Sequence, residues 1–446
     1  MTQTDFLPCD LLVIGAGMAG LSAAAYAAER GAKVIVVEKS RTLGGSAALS
    51  GGVLWTATSA ERLGIYGTGR PDLGAVVLRN YPVALEWLRR RGVAMGPSVS
   101  VLHGRGYQID VLDYLRGCAR LVEQHDGHVV LDSTVESLVV DDSGAVTGAR
   151  VGTGDAAITV LARTTLLATG GYQNSPELRA QYIHPNARGQ LLTRSNPVSD
   201  GAGLRLATAA GGYTTGRNPG FYGHLVSESP RWGDPRLYTL LTQYHSDYCL
   251  LLNEPGLRFC DESHGDHTNT NHVLAQPNAR ALCFWDAVIH ETQATVSIVK
   301  DMETVDRMRV ALEHGGHGVV AATLEDVGAF AQHEGFNGDA VCATIRDYNE
   351  RSAHAWETLA PPRAENLGPL SRPPFYALIV RPAITATHGG LAIDASARVL
   401  ARTGTPVPGL LAAGADCGDV YGLGYAGGLA CAMAYGIESA RTAGFG

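Results

Sequence analysis

The chain has 446 residues, 45% of them hydrophobic and 17% charged, with a formal net charge of −8. That length exceeds one simple core and calls for two domains, and the acidic balance, with no Lys/Arg-rich run, argues against nucleic acid as a partner. No apolar run approaches the roughly 20 residues of a membrane span, and Leu11–Ile14 is too short for a signal-peptide core, so a cytoplasmic protein is expected.

The predicted elements begin with an apolar strand from Asp10 that feeds into Gly15-x-Gly17-x-x-Gly20. A small-residue helix over Leu21 to Glu29 follows, then a second apolar strand that ends in Glu38. Each part has a task in a dinucleotide site. Gly15 permits the tight turn, Gly17 lets backbone approach a pyrophosphate, Gly20 brings helix and strand close, and Glu38 accepts from a ribose hydroxyl. The helix N-terminus supplies N–H donors and the positive end of its dipole. Leu43 to Trp55 is a Gly/Ser loop that needs a ligand or close packing to fix it.

Val111 to Gln124 has helical spacing, with Leu112, Leu115, Ala119 and Val122 on one face. His128 to Val151 reads as strands with a turn at Asp142-Ser-Gly144, Ile158–Leu161 continues the ribbon, and Thr165–Gly171 reads as a separate strand. Gly201–Ala210 is a predicted helix with Asp200 as its N-cap. From Asn271 the character changes, and Thr304–Glu313, Leu324–His333 and Asp339–Ser352 are predicted helices. After Pro361-Pro362 and Pro373-Pro374 the α/β pattern returns, ending in a helix from Gly428. The expected division is a nucleotide-binding domain made of residues 1–270 and 371–446, with residues 271–370 as an inserted α+β capping and substrate domain.

Glycine is in excess, at 55 residues, and occurs in pairs such as Gly44-Gly45, Gly51-Gly52, Gly170-Gly171, Gly389-Gly390 and Gly427-Gly428. Pairs scattered along the chain suit one large flat cofactor threaded through the domain. The eight cysteines show no CxxC spacing and read as reduced thiols. No metal site is expected: His264-Gly-Asp-His267…His272 lacks a zinc register and reads as a solvated loop. Ser46 and Ser50 lack the Gly-x-Ser-x-Gly setting of a hydrolase nucleophile.

Gly15-x-Gly-x-x-Gly20…Glu38-Lys39, Gly44-Gly-Ser-Ala-Ala-Leu-Ser-Gly-Gly52, Ala168-Thr-Gly-Gly171, Asn253-x-x-Gly-x-Arg-Phe259, Thr323-Leu-Glu…Tyr348-Asn349, His388-Gly-Gly390 and Gly409-Leu-Leu-Ala-Ala-Gly414 run in order over nearly the whole chain. Together they resemble the fumarate reductase/succinate dehydrogenase flavoprotein superfamily, and most of all its 3-ketosteroid dehydrogenase-like members. The resemblance implies an α/β, Rossmann-like FAD-binding domain with an inserted cap, and FAD as the cofactor. It places Gly15, Gly17, Ala19 and Gly20 at the pyrophosphate, and Glu38 with Lys39 at the adenosine ribose. Gly44, Gly45, Ser46, Ser50, Gly51 and Gly52 fall along the phosphates and flavin, and Val135 by the adenine. Ala168, Thr169 and Gly170 fall beside the adenosine half, and Gly414, Gly428 and Leu429 near the flavin pyrimidine edge.

The departures from the family pattern bear on chemistry. Gly45 stands where succinate dehydrogenases carry the His that bonds FAD, so the cofactor is expected to be non-covalent. Ala386, Tyr425 and Asp266 stand where fumarate reductases carry a His, an Arg and the proton-donating Arg. A small dicarboxylate needs cations on both carboxylates, so fumarate reduction is not expected.

Gly424-Tyr-Ala-Gly-Gly428 resembles instead the segment in which ketosteroid dehydrogenases polarise a ketone with a Tyr hydroxyl and a helix-start N–H, here Tyr425 with Leu429 or Gly428. The base that takes the α-proton is sought among Tyr222, Tyr244 and Tyr248, and His388 either orients substrate or bonds backbone. The expected partners are a small apolar ketone or enone and an external electron acceptor other than NAD(P); the oligomeric state stays open. The alternatives are reduction of an acrylate-type acid, with Arg194 or Arg217 as its clamp, and a non-catalytic flavin electron carrier.

Overall fold

Strand β1 (Phe6–Ile14) lies parallel to β2 (Val34–Val37), with Leu11 opposite Val34 and Ile14 opposite Val37. Two parallel strands need a crossover, and helix α1 (Met18–Ala28) supplies it. Every residue of α1 is buried, which is why it carries no charged face and is mostly Ala, with Met18, Leu21 and Tyr26 as its large side chains. The computed structural model describes residues 6–67, 69–101, 104–215, 220–295 and 304–446, with Asp155 as backbone only.

Two compact units emerge. The first comprises Met1–Ile183, Ser195–Phe221 and Ala386–Gly446, and the second His184–Arg194 and Tyr222–Thr385. The second therefore begins at Tyr222 in its main segment, well before the composition change at 271, and it keeps the Pro361 and Pro373 pairs inside it. The reason is the strand Phe375–Thr387, which pairs with Ala281–Trp285 and Gly318–Ala321. Those pairings tie the residues after the prolines into the inserted unit.

In the first unit the sheet runs Arg398–Leu400, Pro406–Ala412, Ile158–Leu167, β1, β2, His128–Val130, with the ribbon Val135–Val140/Val146–Val151 attached through Ile158–Leu167. Ile158–Leu167 is one ten-residue strand, not a ribbon end followed by a separate strand. It is held parallel to β1 from Phe6↔Thr159 to Ile14↔Leu167, so no break is possible between them. Val111–Gln124 is helical as its spacing predicts, capped by Asp110, which accepts from the Asp113 N–H at 2.9 Å. Pro71–Arg90 is a twenty-residue helix in spite of Pro82 within it. The last helix, Gly428–Thr442, packs against α1.

The second unit is built on a six-stranded sheet centred on Phe375–Thr387, with Phe221–Ser227 along one part of it. Thr323 and Asp326 close a capping box at the start of Leu324–His333, and Asn337 caps Gly338–His354. Arg258 and Arg363 share Glu262, at 2.6 and 3.5 Å, with all three side chains almost wholly buried. Asn349 holds the backbone of Leu370 from both sides. Several residues that carry the family resemblance thus do structural work here.

Candidate functional site

In the first unit the turn between β1 and α1 is the centre of a backbone cradle. Gly15 has φ +111°, and a Cβ there would stand 2.2 Å from the Ala168 carbonyl oxygen, so glycine is demanded by the fold. Gly17 is different. Its φ of −86° suits any residue, and the nearest atom to a Cβ would be the Gly44 oxygen at 3.8 Å. The space beside Gly17 is left open by the protein itself. Helix α1 starts there with no side-chain cap and no acid in its first turn, so its first N–H groups and dipole are available to an anion.

The other residues expected at the cofactor gather around this turn. Gly44 donates to the Ala16 oxygen at 3.0 Å, Gly45 lies 3.9 Å from the Gly17 Cα as measured from its ideal Cβ, and Gly414 lies similarly 3.1 Å from the Ala19 Cβ. Ser46 belongs to the short helix Gly45–Leu49, and Ser50 donates to the Ala47 oxygen and accepts from Gly52. Gly51 is exposed beside them. Gly20 sits inside α1, packed on the Gly15 carbonyl. Glu38 is buried and accepts from the N–H of Ala16 and of Ser40, both at 2.8 Å. Each carboxylate oxygen retains a further lone pair for a hydroxyl.

Ser133 donates to the Glu38 carbonyl, which brings Val135, at a strand start, to the same end of the sheet. Lys39 is not directed to a ligand alone: its ammonium pairs with Asp200 at 3.0 Å. Asp200 also accepts from Ala202 N–H, one residue inside the helix whose N-cap is Gly201 rather than Asp200. Thr169 donates through both N–H and Oγ1 to Asp416. Asp416 is buried and its carboxyl is pushed up to about 7 by desolvation, against the bonds from Thr169. It joins Thr169 to the Gly414 turn, with Ala168 bonded to Ile14 and Gly170 beside Ser199. No motif signalled Asp416, because its partner lies 247 positions away.

Tyr425, also in the first unit, is half-buried among aromatic rings: Trp55 and Tyr421 at 5.7 Å edge-on, and His388 stacked at 6.4 Å. Its hydroxyl accepts the Gly428 N–H at 2.6 Å. Gly428 therefore does not stand as a second donor beside Tyr425; its N–H is spent on the phenol oxygen. Leu429 is the next residue of a helix whose N-cap Gly427 makes no side-chain bond, and the N–H groups of a first helical turn have no partner within the helix. His388 Nδ1 donates to the Gly422 carbonyl, a bond to backbone.

In the second unit Tyr222 and His224 stand two apart on Phe221–Ser227, on one face of the strand. The His-rich run is not a solvated loop: Asp266–Leu274 is a helix, and Asp266 is buried against His224. The carboxylate accepts from His224 Nδ1 and from Leu225 N–H at 3.1 Å. With its proton on Nδ1, His224 accepts the Tyr222 hydroxyl at Nε2, 3.1 Å away. His267 packs on both rings, 4.9 Å from Tyr222 and 5.0 Å from His224, and donates to Gly223 O at 2.9 Å. Ligand atoms of His224, Asp266 and His267 all lie within 4.8 Å of one another, a grouping that the spacing alone does not reveal.

Tyr244 joins this cluster, 5.0 Å from His224, with Arg307 over its ring and Arg194 at 3.5 Å from its hydroxyl. Arg194 also donates to Tyr238 O and Thr385 Oγ1. Arg217 lies outside the described residues. Tyr248, in the turn Ser246–Tyr248, has Asp247 and Glu365 as its charged neighbours instead, and burial raises its phenol.

Asp247 Oδ1 is buried with no hydrogen-bond partner, and desolvation, then the Asp266 charge, pushes its carboxyl up to about 7. A carboxyl held above its unfolded value of about 3.9 binds its proton more tightly when folded, so its contribution falls as pH rises from about 4 to 7. Asp247→Asn is therefore expected to raise stability by about 2 kcal/mol at pH 8, roughly half the full shift because the side chain is half-buried. The gain should shrink toward pH 4. Thermal unfolding at a series of pH values reads this, and an equal gain at all pH values contradicts it.

The family described as FAD binding domain matches residues 10–94 and 112–430. The 4-oxocyclohexanecarboxylate 2-dehydrogenase of Sinomonas cyclohexanicum is 27% identical, over 97% of this chain and 92% of its own. The vinyl phenol reductase of Lactiplantibacillus plantarum is 27% identical over 100% of this chain and 97% of its own. Among solved structures, the 3-ketosteroid-Δ4-(5α)-dehydrogenase of Rhodococcus jostii RHA1 superposes with a TM-score of 0.77 at 21% identity, over 99% and 98% of the two chains. Among the described residues no helix is long and apolar enough to cross a membrane.

Proposed function

We propose that this chain, which belongs to the FAD binding domain family, is a dehydrogenase that introduces a C=C bond α,β to the carbonyl of a cyclic, mainly apolar ketone, or runs that step in reverse. FAD is its cofactor. The residues fit it: the space left open at Gly17, the uncapped start of α1, and Glu38 at the end of β2 are what a diphosphate and a ribose require. Gly45 in place of a flavin-bonding His supports non-covalent attachment. When bound, FAD would supply the two-electron acceptor for the hydride that leaves the β-carbon.

The observation that carries the reading is Tyr425. Its oxygen accepts the Gly428 N–H, which fixes the phenol at the helix start with its O–H as a donor. A phenol so placed polarises a ketone oxygen, and Leu429 N–H is assigned to the same oxygen. Polarisation acidifies the α-carbon, and Tyr222 is assigned as the base that takes its proton. Tyr248 and His388 receive lesser roles, His388 as the ring that backs Tyr425. The α C–H breaks as a proton loss and the β C–H as a hydride loss, giving an enone and a two-electron reduction of the cofactor.

Anaerobic mixing with cyclohexanone, 4-oxocyclohexanecarboxylate and 4-androstene-3,17-dione should bleach the flavin with at least one. Persistent oxidised flavin with all three sinks the reading, and rapid reduction of fumarate would overturn the argument from the missing dicarboxylate clamp. Arg194 and Arg307, both buried around Tyr244, favour a ketone that also bears a carboxylate. Arg194→Met should then weaken turnover of 4-oxocyclohexanecarboxylate at least tenfold more than that of cyclohexanone. The reduced cofactor would be reoxidised by an external acceptor. A cytoplasmic setting accords with eight cysteines that are all free thiols.

A further inference from the structure

A buried polar pair adds little to stability over an apolar pair of the same volume, so the link between Phe221–Ser227 and Asp266–Leu274 asks for another account. We infer that Tyr222, His224 and Asp266 form a proton relay, in which the Tyr222 hydroxyl takes the proton from carbon while its own passes to His224 Nε2, and Asp266 positions the ring and balances its charge. The inference rests on the dehydrogenase reading for the identity of the carbon acid.

The order of the three groups is what a relay needs. Tyr222 is half-buried, His224 is 3% exposed and Asp266 is 8% exposed, so the chain leads inward from the group that meets substrate. Both links are hydrogen bonds, and an ionised carboxylate, which can only accept, fixes their direction as Nδ1–H to Asp266 and Tyr222 O–H to Nε2. The edge-on rings of His267 and Tyr244 clamp the imidazole. His267 is itself fixed by its bond to Gly223 O.

Charge favours the same direction. Burial, then Arg194, holds His224 well below the usual histidine range, so the ring starts neutral with a lone pair at Nε2. Burial raises Asp266 to about 6, opposed by His267, the Leu225 N–H, Arg194 and Ser246. Arg307, Asp247, Tyr244 and Tyr222 complete the titratable and charged neighbours. Above about pH 6 the carboxylate is ionised and balances the imidazolium that forms when His224 Nε2 receives the Tyr222 proton, while the carbanion's electron pair becomes the new C=C bond. The proton returns to solvent through Tyr222 after product leaves. Asp266 and His224 are thus positioning and relay groups, and of these three Tyr222 is the catalytic residue.

The test uses the FAD-loaded full chain with 4-oxocyclohexanecarboxylate and cyclohexanone, reading the anaerobic bleaching rate per bound flavin from pH 5 to 9. Tyr222→Phe, His224→Gln and Asp266→Asn should each slow bleaching about 10²–10³-fold. Wild-type bleaching should fall as pH drops through about 6, and Asp266→Asn should lose that limb. Unchanged rates and pH profile in His224→Gln and Asp266→Asn, with only lower thermal stability, overturn the relay. So does a rate that needs added Zn²⁺ and is abolished by EDTA, which would make the cluster a metal site. A substrate-free readout separates this from failure of the dehydrogenase reading. In ¹⁵N NMR of the same protein, Tyr222→Phe should shift the His224 Nε2 resonance and Asp266→Asn the Nδ1 resonance. An Nε2 signal unmoved by Tyr222→Phe removes the first link whatever the substrate is.

Discussion

Tyr425→Phe is expected to leave FAD bound and to slow flavin reduction by a ketone substrate about a hundredfold. The ring should stay in place, because Trp55, Tyr421 and His388 pack their rings against it. What is lost is the polarised proton and, with it, the acceptor of the Gly428 N–H. An unpaired N–H at a half-buried helix start costs about 1 kcal/mol, too little to unfold the unit. Stopped-flow reduction under anaerobic conditions gives the rate, and the flavin absorption spectrum confirms loading. The loss should fall on the maximal reduction rate and not on the substrate concentration for half-saturation, because the hydroxyl acts on charge that develops in the transition state. A rate within threefold of wild type would make Tyr425 a packing residue and remove the main support for the ketone reading.

Much of the first unit was legible because its signals are local. β1, the Gly-rich turn, α1 and β2 occupy consecutive residues, and the helix Val111–Gln124 announces itself through its spacing and its Asp110 cap. The second unit was less legible. His264-Gly-Asp-His267 has the composition of a loop, yet Gly265 only begins the helix, and what buries Asp266 is a strand 42 residues upstream. Periodicity cannot report such a pairing. Asp416 escaped for the same reason, and so did the end of the inserted unit, which is set by sheet pairing across Phe375–Thr387 rather than by the prolines before it. Pro71–Arg90 shows the opposite error of local rules: Pro82 argues against a helix interior, but buried Leu73, Val76, Val77, Ala84, Trp87 and Leu88 hold the helix through it.

Gly17→Asp is expected to give a folded protein that does not retain FAD. Gly15 could not serve for this test, because any Cβ there meets the Ala168 carbonyl and φ is +111°, so loss of cofactor could not be told from loss of fold. At Gly17 the backbone is ordinary and a Cβ has no protein neighbour closer than 3.8 Å. An aspartate at an N-cap is even favourable to a helix, since its carboxylate accepts from the first free N–H groups. That same bond withdraws the donors from a diphosphate and sets a negative charge against it. At a helix start each such interaction is worth up to about 2 kcal/mol, and repulsion adds to the loss, so affinity should fall at least a hundredfold. The apo protein should unfold at or above the wild-type temperature, while gel-filtered protein should lack flavin absorbance. A loaded Gly17→Asp variant with unchanged affinity would mean that the dinucleotide does not lie against α1. A collapsed apo protein would mean that Gly17, like Gly15, belongs to the fold.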